Sequence, residues 1–394
     1  MSVRRYALRM PASDPIQRAR GRRPTAAPPP PRLGPSTAPP VLVEQRRGST
    51  VESRHRGHVV EVDGAGAVVR AIGDPDTVVI LHSAVKPFAL VALLEAGGAE
   101  AFDLSPAEIA VMASSHSGED VHVRTIQSAM RRAGVSQSLL ACGSDGMPLD
   151  ALTRARLTRD GERPGPVRHM CSGQHASTIL LSRLKGWSVD DYWRDDHPSQ
   201  AAVRSAVARS FDVAPGDLVP SVDECGILTY AFPLREVARA YALLADPDAI
   251  APRDPRASVA RWLLVVRDAM LANPEMVGGS HDRLDTSLGK AVPGRLLAKG
   301  GAEALRAVAV LGGPRGGKYA GPSGLALKIE DGDGRGRATH AATVEALRQV
   351  GVLDAPALRA LARYHHPATA DSHGRAAGES VPVFDLAPLA ELVG

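Results

Sequence analysis

Residues 58–81 read HVVEVDGAGAVVRAIGDPDTVVIL. Two β-branched runs, HVVEVD (58–63) and AVVRAIG (67–73), flank the short turn Gly64-Ala65-Gly66, and a third run, VVIL (78–81), follows. Branching at Cβ suits pleated backbone, and glycines supply the conformations a tight turn needs, so the stretch predicts a hairpin and then a third strand. Further along, KPFALVALLEAGG (86–98) reads as an apolar helix ending at Gly97-Gly98. Ser105-Pro106-Ala107-Glu108 has the spacing of a capping box with proline at the first helical position. Long helical stretches come next. GLALKIED (324–331) then returns to strand, and a DGDG turn leads into the amphipathic ATHAATVEALRQVG (338–351). The order of strands, many helices and strands again predicts an α/β (α+β) chain whose C-terminal strand pairs with the N-terminal hairpin.

The 394 residues suffice for a large buried core, and the apolar runs fall far short of the ~20 residues that a membrane helix needs. The net charge of +4 is unevenly placed. Residues 1–40 hold eight Arg and one Asp, so the remaining residues carry about −3. That remainder has neither a basic stripe nor interleaved aromatics, which argues against nucleic acid as a partner. Ten prolines and little apolar periodicity predict that residues 1–40 are disordered, with a folded domain over 41–394. Three widely spaced cysteines, Cys142, Cys171 and Cys225, do not make a disulfide framework and point to a reducing compartment, the cytoplasm.

Six lysines accompany 41 arginines, so a lysine in an apolar setting stands out. His82-Ser83-Ala84-Val85-Lys86-Pro87 joins the third strand to the first helix. Pro87 is tolerated only in an opening helical turn, which puts Ser83 at the helix start. Three-residue spacing then places the Ser83 hydroxyl and the Lys86 amine on one face, where a desolvated lysine could take the serine proton. About 0.4 Ser-x-x-Lys matches are expected by chance and the chain has three, Ser83/Lys86, Ser182/Lys185 and Ser287/Lys290. Only the first lies between a buried strand and an apolar helix; the bland alternative is a capping serine beside a snorkelling lysine.

Ser114-Ser115-His116-Ser117-Gly118-Glu119 reads either as an ordinary loop between helices or as a second hydroxyl facing a site. His169-Met170-Cys171-Ser172-Gly173-Gln174-His175 opens a further helix whose small residues would let backbone N–H groups face an anion. Cys171, His175, Asp223 and Cys225 are metal-ligand types without metal-ligand spacing. Lys299, between an apolar run and Gly300-Gly301, is either a turn lysine or one at a strand end lining a cleft.

Taken together, VESRHRGHVVEVD, GDPDTVVILHSAVKPF, ASSHSGE, CSGQH, DECG, NPEMVGG, GRLLAKGGAEAL and SGLALKIEDGDGRG resemble, in order, the asparaginase II family of rhizobial-type (class 3) L-asparaginases. The resemblance runs from about Val41 to Asp385. It implies a serine β-lactamase/glutaminase-like fold, a cytoplasmic homodimer, and hydrolysis of the L-asparagine side-chain amide. It also implies two Ser-Lys tandems, Ser83/Lys86 and Ser115/Lys299, with Ser83 favoured as nucleophile and Ser115 as relay. His82, His175 and Asp223 would bind the substrate, His82 standing where the family commonly has arginine. A zinc ion held in the family by two cysteines and a lysine would meet Cys171, Cys225 and Gln174 here. Glutamine is a poorer zinc ligand than a neutral amine, so weak zinc binding is expected. The rival expectations are a related amidohydrolase acting on glutamine, a β-lactam or another small amide, and an amino-acid-binding protein without turnover.

Overall fold

The hairpin read from residues 58–73 is present in the computed structural model, which describes residues 38–143, 146–315 and 318–389. Most of the segment read above as disordered, residues 1–37, lies outside the described residues. Strand β1 (Val41–Arg47) is followed by β2 (Thr50–Asp63) and β3 (Val68–Ile72). The β2–β3 turn is held by the Asp63 carboxylate, whose Oδ1 accepts from the Ala65 and Ala67 N–H groups at 3.0 and 2.9 Å. β4 (Val78–Ile80) leaves this sheet and, with β5 (Val219–Val222) and β6 (Leu228–Pro233), forms a small sheet of order β4-β6-β5. Next come β7 (Leu296–Gly300), β8 (Leu305–Val310), the ribbon β9 (Gly313–Arg315) and β10 (Lys318–Ala320), β11 (Ser323–Ile329), β12 (Ala368–Ala370) and β13 (Ala376–Pro382).

The main sheet runs β12-β13-β1-β2-β11-β8-β7, with β3 also paired to β2, and these pairings are antiparallel. Long β2 serves both halves: its first part pairs with β1 and its second with β11 and β3. The sheet is therefore drawn from both ends of the chain, as expected, with the helical region between.

Side chains alternate across a pleated sheet, and here both faces are covered. Val60, Val62, Ala307, Ala309 and Ala326 face a core shared with the helix Leu234–Ala245 and the helical region. Val59, Val308, Val310, Leu325, Leu327 and Ile329 face a second core closed by the helix Arg337–Val350. The result is a helix–sheet–helix sandwich. Gly324 marks its tightest contact: a Cβ there would lie 1.8 Å from the Ala238 carbonyl oxygen, so only glycine lets the helix Leu234–Ala245 settle on β11. Residues from Pro39 onward form one compact unit. Among the described residues no helix is long and apolar enough to cross a membrane.

Candidate active site

Four segments converge on one cavity of about 430 Å³. The first comes off β4. Leu81 N–H bonds to the Tyr230 carbonyl at 2.9 Å, His82 takes a left-handed φ of 46°, and a 3₁₀ turn, His82–Val85, runs into the helix Lys86–Ala89. A non-glycine residue in that region is strained. Ser83 lines the cavity, and its hydroxyl makes no hydrogen bond among the described residues. The anticipated capping box forms at Ser105 and Glu108, starting the helix Pro106–Met112, whose end delivers Ser115 to the same cavity. Ser115 is pinned by its backbone: its N–H donates to Val277 O at 3.2 Å and its carbonyl accepts from Arg283 Nη2 at 2.7 Å.

β7 carries Lys299, fully buried, whose Nζ donates to Gly300 O at 2.7 Å and lies 2.8 Å from Ser115 Oγ. Lys86 Nζ reaches Ser114 O at 3.0 Å, Ser115 Oγ at 3.2 Å and Cys171 Sγ at 3.2 Å. Both lysines thus meet on Ser115. The Ser83–Lys86 pairing expected from three-residue spacing is not formed, because the fixed acceptors of the 114–115 segment and Cys171 hold the Lys86 amine. Burial drives the Lys299 amine well below its ordinary pKa, and the charge of Lys86 lowers it further. A neutral amine against a hydroxyl can accept its proton.

A fourth segment, at the end of β5, brings Asp223 and Cys225. Burial raises the Asp223 carboxyl, but hydrogen bonds from His82 and Glu224 outweigh this and hold it well below the carboxylate range. His82 Nδ1 lies 2.9 Å from Asp223 Oδ1, and that bond raises the imidazole against the opposing effect of burial. Asp223 lines the cavity and His82 stands behind it. Cys171, at the start of the helix Ser172–Lys185, also lines the cavity. The bond from Cys225 and the nearby Lys86 charge favour thiolate at Cys171 despite burial, while Cys225 is held up.

One sequence expectation changes here. His175 is fully buried with Nδ1 2.7 Å from the Tyr192 hydroxyl, and burial pushes it down to about 4; it is not among the cavity-lining residues. Gln174 is buried in the same helix, and its Oε1 accepts no hydrogen bond among the described residues. The metal-type cluster is Cys171, Cys225 and Asp223, with ligand atoms within 4.8 Å of one another. Two thiols and a carboxylate are a donor set suited in kind to Zn²⁺.

Sequence reasoning missed Arg283, Asp285, Arg306 and His340, which also line the cavity. Asp285 is buried, accepts from Gly300 N at 3.2 Å and pairs with Arg306 Nη1, fixing the strand end that carries Lys299. Burial would raise this carboxyl, but Arg306, Lys299 and Arg283 lower it on balance. Nothing in the local pattern around these arginines separates them from 39 others.

The sandwich fold and a polar cavity with two serines over buried lysines are the equipment of an amidohydrolase. The L-asparaginase II family model matches residues 43–382, most of the chain, and the chain belongs to that family. Among solved structures it is similar to a Bacillus glutaminase crystallised in 4.3 M NaCl, at 13% identity over 75% of this chain and 92% of that one, TM-score 0.38. It is also similar to a probable glutaminase from Bacillus subtilis complexed with 6-diazo-5-oxo-L-norleucine, at 12% identity over 75% of this chain and 84% of that one, TM-score 0.35. No curated protein sequence matches the chain.

Proposed function

We propose that the protein is an L-asparaginase: it hydrolyses the side-chain amide of L-asparagine to L-aspartate and ammonia through a serine ester, with lysine as base. The observation that carries the reading is the Lys299 amine, kept neutral by burial, 2.8 Å from Ser115 Oγ. In the first step Ser83 Oγ attacks the amide carbon, and its proton passes to Ser115 as Ser115 gives its own to Lys299. The C–N bond then breaks, and the lysine proton returns along the same route to the departing nitrogen, giving ammonia. Water, deprotonated by the same relay, cleaves the ester and restores Ser83. The free Ser83 hydroxyl on a strained turn favours this assignment, because an attacking oxygen needs an unencumbered lone pair toward the substrate. A second reading, direct attack by Ser115, is favoured by its immediate contact with Lys299.

Zinc, where bound, would be held by Cys171 and Cys225 and would supply a fixed positive charge at the cavity wall, with Asp223 left to the substrate. A homodimer in the cytoplasm completes the reading, as the family resemblance implies.

The test is ammonia release from L-asparagine and L-glutamine, followed by trapping with a diazoketone analogue of asparagine and mass mapping of the modified peptide. Release from asparagine with label on Ser83 is the expected result. Label on Ser115 would establish the second reading, and turnover of glutamine alone would overturn the substrate assignment.

A further inference from the structure

An amino-acid amide carries two charges besides the amide, and the cavity has to meet both. Asp223, at the cavity wall with Oδ1 2.9 Å from His82 Nδ1, suits the α-ammonium group. The α-carboxylate needs a cation. His82 is committed to Asp223 and is not among the lining residues, His175 is buried against Tyr192, and both lysines are turned to Ser115; of the imidazoles that do line the cavity, His169 Nδ1 accepts from the Cys171 N–H at 3.1 Å and burial pushes His340 down to about 3. Two arginines line the cavity. Arg306 is paired with Asp285, which also caps the Gly300 N–H.

Arg283 differs. It donates one hydrogen bond, from Nη2 to Ser115 O at 2.7 Å, and has no carboxylate within ion-pair distance among the described residues. Its neighbour in sequence, Asp282, is turned outward to Arg363 at 2.6 Å. Asp285 is the buried carboxylate that Arg283 shares with Arg306, so this wall holds two guanidinium groups against one anion. The other N–H groups of Arg283 donate to none of the described residues, and a guanidinium fork matches a carboxylate.

We propose that Arg283 is the residue that binds the substrate's α-carboxylate, and that with Asp223 it restricts the cavity to zwitterionic amino-acid amides. The inference rests on the asparaginase reading for its substrate. Because Arg283 also holds the carbonyl of Ser115, substrate recognition places the amide relative to that serine through a single side chain. The resemblance to arginine-bearing relatives led to His82 for this role; the geometry moves it to Arg283.

The test compares L-asparagine with β-alaninamide, the same amide lacking the α-carboxylate, in wild type, Arg283→Met and Arg283→Lys, alongside calorimetric titration with the product L-aspartate. Wild type should prefer asparagine by about 100-fold or more in kcat/KM. Arg283→Met should lose about that factor more on asparagine than on β-alaninamide, with the excess chiefly in KM, and bind L-aspartate correspondingly more weakly; a smaller loss common to both amides reports the lost hold on Ser115 O. Arg283→Lys should recover part of both losses, and it carries the test if the Met variant does not fold. Equal losses on both amides would show a merely structural role toward Ser115, and unchanged KM and aspartate affinity would equally overturn the proposal. If wild type releases no ammonia from asparagine, the asparaginase reading fails, while the aspartate titration still decides Arg283: binding that the variants lose supports it, and binding that is absent or unaffected sinks it.

Discussion

On the proposed reading, Lys299 serves chemistry at the expense of stability. In the unfolded chain its amine has a pKa of about 10.4, whereas burial holds the folded value well below this. Between the two values the unfolded state binds a proton that the folded state does not, so this group's contribution to stability rises with pH across that window. Below the folded value its cost is largest. Replacing Lys299 by Met removes the cost but also the hydrogen bond to Gly300 O, worth about 1 kcal/mol. We expect the desolvation cost to dominate, so Lys299→Met should melt a few degrees higher at neutral pH, with the gap closing toward pH ~10. The same variant should lose ammonia release by about 10²–10⁴-fold. In wild type, kcat/KM should rise about tenfold per pH unit up to the folded pKa of Lys299, because the base must be neutral. A melting scan from pH 6 to 10 beside a pH–rate profile checks these points, and a variant less stable than wild type throughout would refute the stability argument. The sequence marked Lys299 as one of six lysines, but not its contact: Ser115 lies 184 positions away, and no local pattern encodes a pairing of that range.

Elements were more legible than pairings, for a physical reason. The turn after Asp63 and the cap at Ser105 are made by residues within four positions of one another, so their chemistry is written side by side. The run 86–98 reads as one helix ending at Gly97-Gly98; the end is there, at left-handed Gly97, but Leu90 divides the run into Lys86–Ala89 and Val91–Glu95, a break that composition does not reveal. The family resemblance implies a substrate contact for His175, yet only the packing of Ser172–Lys185 decides which of its side chains reach the cavity. Gly173 shows how close that packing is, since a Cβ there would lie 2.1 Å from the Val111 carbonyl oxygen. The same logic gives a prediction at Gly324. Gly324→Ala would drive a methyl into the backbone of the helix Leu234–Ala245, and both helix and strand are held by the core around them. Overpacking of this kind costs about 1–3 kcal/mol or more. Urea unfolding should show a lower midpoint with an unchanged slope; a midpoint within error of wild type would mean that the helix can shift freely on the sheet.

At the scale of the whole molecule, the site depends on a sheet closed by segments from both ends of the chain. Ser83 follows the N-terminal strands, Lys299 rides on β7 at one end of the sheet path, and β13 covers β1 toward the other. The sequence order anticipated that closure, because strand patterns bracketed the helices, but it gave no register. β13 matters beyond its own pairing: Ser380 Oγ donates to buried Gln45 Oε1 at 2.8 Å, and Phe384 and Leu386 beyond it enter the second core. Removing everything after His366 would strip β12 and β13, bare the edge of β1, and take two apolar side chains from the core that packs the far face of the sheet from the catalytic residues. None of the site residues would be touched. If the sheet acts as one cooperative body, this truncation should abolish ammonia release and lower the unfolding midpoint sharply or leave the protein aggregated. A soluble truncated protein with wild-type kcat would show instead that the site is held by β2, β11, β8 and β7 alone, and that the C-terminal strands serve only to close the edge.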